Sequence, residues 1–198
     1  SKLPKAEVNN VAKIKTGQKG VVAVGDLHGS YDNLYWDLNG WNPQTKTFSK
    51  KIIDGSPTDP STWKWVGEDG VMVQIGDIFD RGEHAFEIRT ALNRLDDEAK
   101  LTGGRVVRIA GNHEMAYLQK ISVSGLDYAN ADKIRTMLLT DIKEGRLVAA
   151  TVVDGELYTH AGVSLQKFKE FTGKTAQQIA NDINQRFYIA IQTSDFSD

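Results

Sequence analysis

Apolar residues are distributed along this chain in two rhythms: short β-branched runs, and longer stretches that repeat every three to four positions. Val21-Val22-Ala23-Val24, Val71-Met72-Val73-Gln74-Ile75 and Arg105-Val106-Val107-Arg108-Ile109 are runs of the first kind. The second is apolar enough to be covered on both faces, as the strands of a parallel sheet are. Each run gives way to a polar, glycine-containing loop and then to helical spacing. Ser30 predicts the cap of a helix extending to Asn39. Ala85, Ile88, Ala91, Leu92, Leu95 and Ala99 predict an amphipathic helix that ends before Gly103-Gly104, and another helix is expected after Glu114. Three strand-loop-helix units in succession predict an α/β fold with parallel strands at the centre of its sheet.

The second half keeps the same vocabulary. Residues 121 to 130 read as a loop, and 131 to 144 as a helix with Ile134, Met137, Leu138, Leu139 and Ile142 on its apolar side. Leu147 to Val153 and Glu156 to Thr159 predict two strands joined at Asp154-Gly155, a strong hairpin signal. A last helix carries Ala176, Ile179, Ala180, Ile183, Phe187 and Ile191, followed by a polar tail over 193 to 198. Residues 1 to 20 form a polar arm or edge-strand lead-in. Between Gly40 and Gly70 lies an insertion rich in Pro, Thr, Ser, Lys and Trp. A stretch that long calls for a hairpin of its own or for a functional loop. A surface hairpin pinned by Trp41, Trp63 and Trp65 weighs evenly against a lip that touches substrate.

Composition narrows the class. With 198 residues and 40% hydrophobic content, the chain can bury one substantial core, which predicts a single domain over 1–198. Its 24 Lys and Arg against 26 Asp and Glu leave a net charge of -2, which argues against a nucleic-acid or membrane-surface binder. The absence of cysteine excludes disulfides and thiolate metal sites. No run of 18 apolar residues and no signal-peptide pattern is present, so a soluble, cytoplasmic protein is expected, with periplasm or secretion left open. Oligomeric state is not encoded.

The candidate chemistry sits where the predicted strands end. Asp26 and His28 follow the first, Asp77 the second, Asn112 and His113 the third, and His160 the later hairpin. Carboxylate, amide and imidazole donors without thiolates suit Mn, Fe or Zn, and one shared carboxylate suits a pair of divalent ions. Asp77 is the natural bridge. Two ions about 3.5 Å apart would generate hydroxide from water at neutral pH and clamp a phosphate for in-line attack. Core packing gives no reason to place such residues at successive strand ends.

GDLHG at 25 to 29, GDIFDRG at 76 to 82 and GNHE at 111 to 114 resemble, in order and spacing, the signature motifs of the phosphoprotein phosphatases, a branch of the calcineurin-like metallophosphoesterases. HAG at 160 to 162 resembles the family's later histidine-glycine motif. The similarity covers residues 21 to 165, and the segment VMVQIGDIFDRG looks most like the bacterial, Shewanella-like branch. The resemblance implies a sandwich of mixed β-sheets flanked by helices. It implies that Asp26 and His28 bind the first metal, that Asp77 bridges both, and that Asn112 and His160 bind the second. Arg81, with Asn112 and His113, would hold the substrate phosphate. His113 would protonate the leaving oxygen, and Asp80 would orient its imidazole. Glu114 has no direct role in this scheme and is read as supporting its loop.

The implied activity is hydrolysis of phosphoserine, phosphothreonine or phosphotyrosine on a protein or peptide, with two divalent ions, manganese ahead of iron or zinc. A dinucleoside polyphosphate hydrolase is the competing enzyme, against which Asp80 speaks. A pseudophosphatase binding module is the non-enzyme alternative, motivated by one departure. The family's second metal normally takes a further histidine after HAG, and the phosphate a second arginine, yet none of the four histidines follows His160. The chain is therefore expected to end before that motif. His84 reads as an exposed or capping residue and not as a replacement ligand.

Overall fold

The computed structural model of the protein describes residues 14–42, 47–48, 51–80, 84–162 and 169–193. In chain order its elements are β1 (Val21–Val24), α1 (Tyr31–Leu38), β2 (Trp41–Asn42), β3 (Thr47–Phe48), β4 (Ile53–Ser56), β5 (Asp59–Trp65), β6 (Val71–Gln74), α2 (Ala85–Lys100), β7 (Arg105–Ile109), α3 (Asn112–Gln119), α4 (Ala131–Lys143), β8 (Leu147–Val148), β9 (Ala150–Val153), β10 (Glu156–Thr159) and α5 (Ala176–Thr193). A short 3-10 turn at Tyr128–Asn130 leads into α4. None of the helices described is long and apolar enough to cross a membrane.

The strands with continuous apolar runs line up as a four-stranded parallel sheet in the order β1-β6-β7-β8. Alternate residues then face opposite ways. Met72, Val106 and Leu147 point into the larger cluster, where α1, α2, α3 and α4 lay down residues such as Leu38, Leu92, Leu118 and Leu138. Val71, Val73, Val107, Ile109 and Val148 point into a second cluster with Val153 and Tyr158 of the β9–β10 hairpin. Helix α5 closes the outer face of that hairpin with Ala180 against Ala150 and Val152. The result is a mixed α/β fold in which a central parallel sheet is flanked by helices, as expected. The hairpin turns at Asp154 (φ 51°) and Gly155 (φ 88°), the pair of left-handed residues that a tight two-residue turn needs.

One predicted strand is two. The apolar run from Leu147 to Val153 breaks at Ala149: β8 joins the parallel sheet beside β7, and β9 pairs with β10 in the second layer. Asn184 of α5 makes the break tolerable, because its Oδ1 accepts from the N–H groups of Ala149 and Ala150 and its Nδ2 donates to the Ala150 carbonyl. The insertion over 40–70 does build a hairpin, β4 with β5. Trp63 and Trp65 are buried beneath it, while Trp41's side chain lies outside the described part. Arg94 of α2 ties the hairpin down by donating to the carbonyls of Pro60 and Trp63.

At the chain's beginning, Ile14 adds a strand-like rung to β9, with its N–H on the Val152 carbonyl and its own carbonyl receiving Asp154 N–H. Thr16 then donates its N–H to Asp154 Oδ1 at 2.9 Å and its hydroxyl to the Oδ2 of the same carboxylate. Within the stretch 1–20 the described strand pairing is this single bridge at Ile14; residues 1–13, and the tail from 194, lie outside the described part.

Candidate active site

The carboxyl ends of β1, β6 and β7 carry the three motif loops, side by side because their strands are neighbours in the sheet. The loops are also sewn together by their backbones. Leu27 and His28 donate N–H groups to the Asp77 carbonyl at 3.3 and 2.9 Å, and His113 N–H donates to Asp77 Oδ1 at 3.1 Å. Gly76 and Gly111 permit this approach. A Cβ on Gly76 would lie 2.6 Å from His160 Nδ1 and 2.7 Å from the Gly111 backbone, and one on Gly111 would lie 2.1 Å from Asp77 Oδ1. Asp77 and His28 themselves occupy the left-handed region, at φ 54° and 45°. Backbone of that kind is uncommon for residues other than glycine and gathers at functional loops.

Two groups of donors share Asp77. Asp26, Asp77 and His160 each offer an atom within 4.8 Å of the others, and so do His28, Asp77 and Asp80. Asp77 is buried, whereas the Asp26 carboxyl is half exposed at the mouth. Asp26 stands 3.8 Å from His28 Nε2 through one oxygen and 3.8 Å from His160 Nδ1 through the other. Asp80 lies beneath, its Oδ1 against His28 Nδ1 and its Oδ2 2.5 Å from His113 Nδ1.

His160 Nδ1 is 2.6 Å from the Ile75 carbonyl, which can only accept, so Nδ1 carries the proton. Nε2 lies 3.0 Å from Asn112 Oδ1 and 3.6 Å from Asp77 Oδ2, so an imidazole nitrogen, an amide oxygen and a carboxylate oxygen converge on one point. The donor set fits divalent ions, and it does so through hard oxygen and imidazole atoms.

Every candidate residue within the described part comes to this one rim: Asp26, His28, Asp77, Asp80, Asn112, His113 and His160. Arg81 lies outside the described residues. His84 packs against Tyr31 in a tilted contact, ring centroids 4.4 Å apart, at the head of α2 and in neither donor group. Three features were not read from the sequence. The Ile75 carbonyl that orients His160 has no sequence signal, being backbone. Asp80 serves His28 as well as His113, where only the second contact is expected. Glu114, read as supporting its own loop, does so through Gly111 N–H, and it also collects the amides of Asp77, Ile78 and Phe79 in the neighbouring loop, which was not expected. Behind the site, burial raises the Tyr117 hydroxyl to about 12, and the negative charges of Asp127, Asp80 and Glu114 push the same way.

Comparison with known proteins adds independent evidence. The model of the calcineurin-like phosphoesterase family matches residues 20–188. Shewanella-like protein phosphatase 1 of Plasmodium berghei is 27% identical over 96% of this chain and 53% of its own length. Shewanella-like protein phosphatase 2 of Arabidopsis thaliana is 33% identical over 50% of the chain and 22% of its own length. Among solved structures, the cold-active protein-tyrosine phosphatase of a psychrophilic Shewanella superposes with a TM-score of 0.62 at 26% identity, over 94% of this chain and 54% of that one. The chain spans about half the length of the first of these relatives and of the matched structure.

Proposed function

The chain belongs to the calcineurin-like phosphoesterase family, and from that premise we propose that it is a metal-dependent protein phosphatase of the Shewanella-like kind, acting on a phosphomonoester of a protein or peptide. The observation that carries this reading is the sharing of Asp77 between two donor groups within reach of the buried His113–Asp80 pair. The names of the relatives support phosphatase chemistry over a dinucleoside polyphosphate hydrolase or a binding module.

Asp26, His28, Asp77, Asn112 and His160 are the residues that would hold two divalent ions, manganese by preference and iron or zinc as alternatives. Bound ions supply Lewis acidity toward phosphate oxygens and toward water at neutral pH. The chain's own residues do the rest. Arg81 grips the phosphate through forked, charge-assisted hydrogen bonds that lysine could not reproduce. Asn112 and His113, at the start of α3, border the same phosphate. Asp80 holds His113 by Nδ1, which turns Nε2 toward the bond to be broken. From there Nε2 gives its proton to the departing oxygen, so that an alcohol and not an alkoxide leaves. His28 is steadied by the same carboxylate.

The test is phosphate release by the 198-residue chain with added Mn²⁺ from matched phosphotyrosine and phosphothreonine peptides, with Asp77→Asn as control. Release that vanishes in the control is expected, and the ratio of the two peptides reports side-chain preference. Folded protein that releases nothing from either peptide refutes the reading for this chain.

A further inference from the structure

Glu114 uses both carboxylate oxygens on backbone amides. Oε2 accepts from Asp77 N–H at 2.7 Å and Gly111 N–H at 2.9 Å, while Oε1 accepts from Ile78 N–H at 2.9 Å and Phe79 N–H at 3.3 Å. The side chain is withdrawn from water, with 2% of the residue exposed, so these four dipoles are its solvation. Three of the donors are consecutive. The turn through Gly76 (φ 92°) and Asp77 (φ 54°) gathers their N–H groups about one point, a concavity of the kind that ordinarily binds an external anion. Here the anion is supplied by the first turn of α3.

The consequence falls on Asp77. A non-glycine residue in the left-handed region is strained and stays there only if its surroundings hold it. Its carbonyl is held by Leu27 and His28, its Oδ1 by His113 N–H, and its N–H by Glu114. We infer that Glu114 is a positioning residue: by gathering the amides of 77 to 79 it aims the Asp77 carboxylate between the two donor groups, and it governs ion affinity without touching ion or substrate. For its effect on ions the inference rests on the function proposed above; for its geometry it rests on the clamp alone.

A merely supportive glutamate would lower stability and leave ion binding alone, so the test is a double-mutant cycle on Mn²⁺ affinity. Glu114→Gln keeps the volume but turns an NH2 group toward backbone donors. The parent, Glu114→Gln, Asp77→Asn and the double variant are titrated with Mn²⁺ by calorimetry. Glu114→Gln should raise the Mn²⁺ Kd about tenfold or more. The double variant should bind little worse than Asp77→Asn, because a misdirected and a neutralised carboxylate are the same loss. Additive effects, or a folded Glu114→Gln that binds Mn²⁺ like the parent, overturn the inference. Should Glu114→Gln fail to fold, Glu114→Asp, which keeps the charge but shortens the reach, takes its place in the cycle. If the parent binds no Mn²⁺, it is the proposed function that falls. The clamp is then judged by hydrogen exchange in the metal-free chain: amides of 77 to 79 slow in the parent and fast in the variant support it, and unchanged rates overturn it.

Discussion

At the scale of a single residue, Asp77 shows how much one position can be asked to join. Its carbonyl is committed to the loop after β1 and its N–H and Oδ1 to the first turn of α3, which leaves Oδ2 facing His160 at 3.6 Å. Asp77→Asn removes a charge from both donor groups at once. Several kcal/mol of transition-state stabilisation are then at stake, so kcat with saturating Mn²⁺ should fall at least about a hundredfold. A variant with near-parental kcat would refute the shared role. His113→Asn is a different experiment on the same rim. It should leave Mn²⁺ affinity unchanged and slow a phosphoserine peptide by about 10² to 10⁴, while a nitrophenyl phosphate, whose leaving group needs no proton, slows far less. Equal slowing of the two substrates would remove His113 from the proton transfer. Asp77 and His113 were legible in the sequence because a polar residue just beyond an apolar strand has few structural reasons to be there. The Ile75 carbonyl was not, since any residue at 75 would offer the same atom.

At the scale of elements, the helix-facing side of the sheet is fastened by charge as well as by apolar contact. Arg108 of β7 is buried, and its Nη2 reaches Asp141 Oδ2 of α4 at 2.7 Å. Arg89 of α2 grips the same carboxylate with Nε and Nη2 at 2.7 and 2.6 Å. Burial alone would push the Asp141 carboxyl up, but Arg108 and Arg89 outweigh it and hold the group below its ordinary 3.8. A depressed folded value means stability that is fully present above the unfolded pKa and is lost as pH falls through the folded one. Asp141→Asn leaves two arginines short of their counter-charge and should destabilise the chain by about 3 to 5 kcal/mol in urea unfolding at neutral pH. The difference from the parent should shrink on acidification below about pH 4, and a difference constant with pH would contradict the assignment. The sequence shows Arg108 only as a polar interruption of a strand; its partner lies on a helix that begins more than twenty residues later. The break between β8 and β9 was hidden for the same reason. A run that is apolar but for Thr151 gives no hint that Asn184, on the last helix, will stand in for missing strand partners. Asn184→Ala should therefore destabilise the chain by about 2 to 4 kcal/mol, at roughly 1 kcal/mol per lost bond plus the unpaired amides, read as a lowered urea midpoint. A midpoint equal to the parent's would show that water replaces the asparagine.

At the scale of the whole molecule, the layers are arranged so that the rim where the chemistry is expected rests on two packed apolar clusters. The parallel sheet is covered on both faces by separate apolar clusters, and the three motif loops emerge together from its carboxyl edge. This much was legible, because three repeats of strand, polar loop and helical spacing constrain topology strongly. The pairing of Ile14 and Thr16 with β9 and the hairpin turn has another consequence, and it concerns time. Thr16 and Asp154 are 138 positions apart, so this clasp closes only after nearly the whole described chain is available. Contacts of such span form late, after the more local strand-helix units have condensed. The clasp then acts as a latch on unfolding and not as a nucleus for folding: Thr16→Ala should speed unfolding in stopped-flow measurements and leave the refolding rate nearly unchanged, and a slowed refolding limb would place the first residues in the nucleus instead. During synthesis, the opening segment must wait for the ribosome to deliver the turn that receives it.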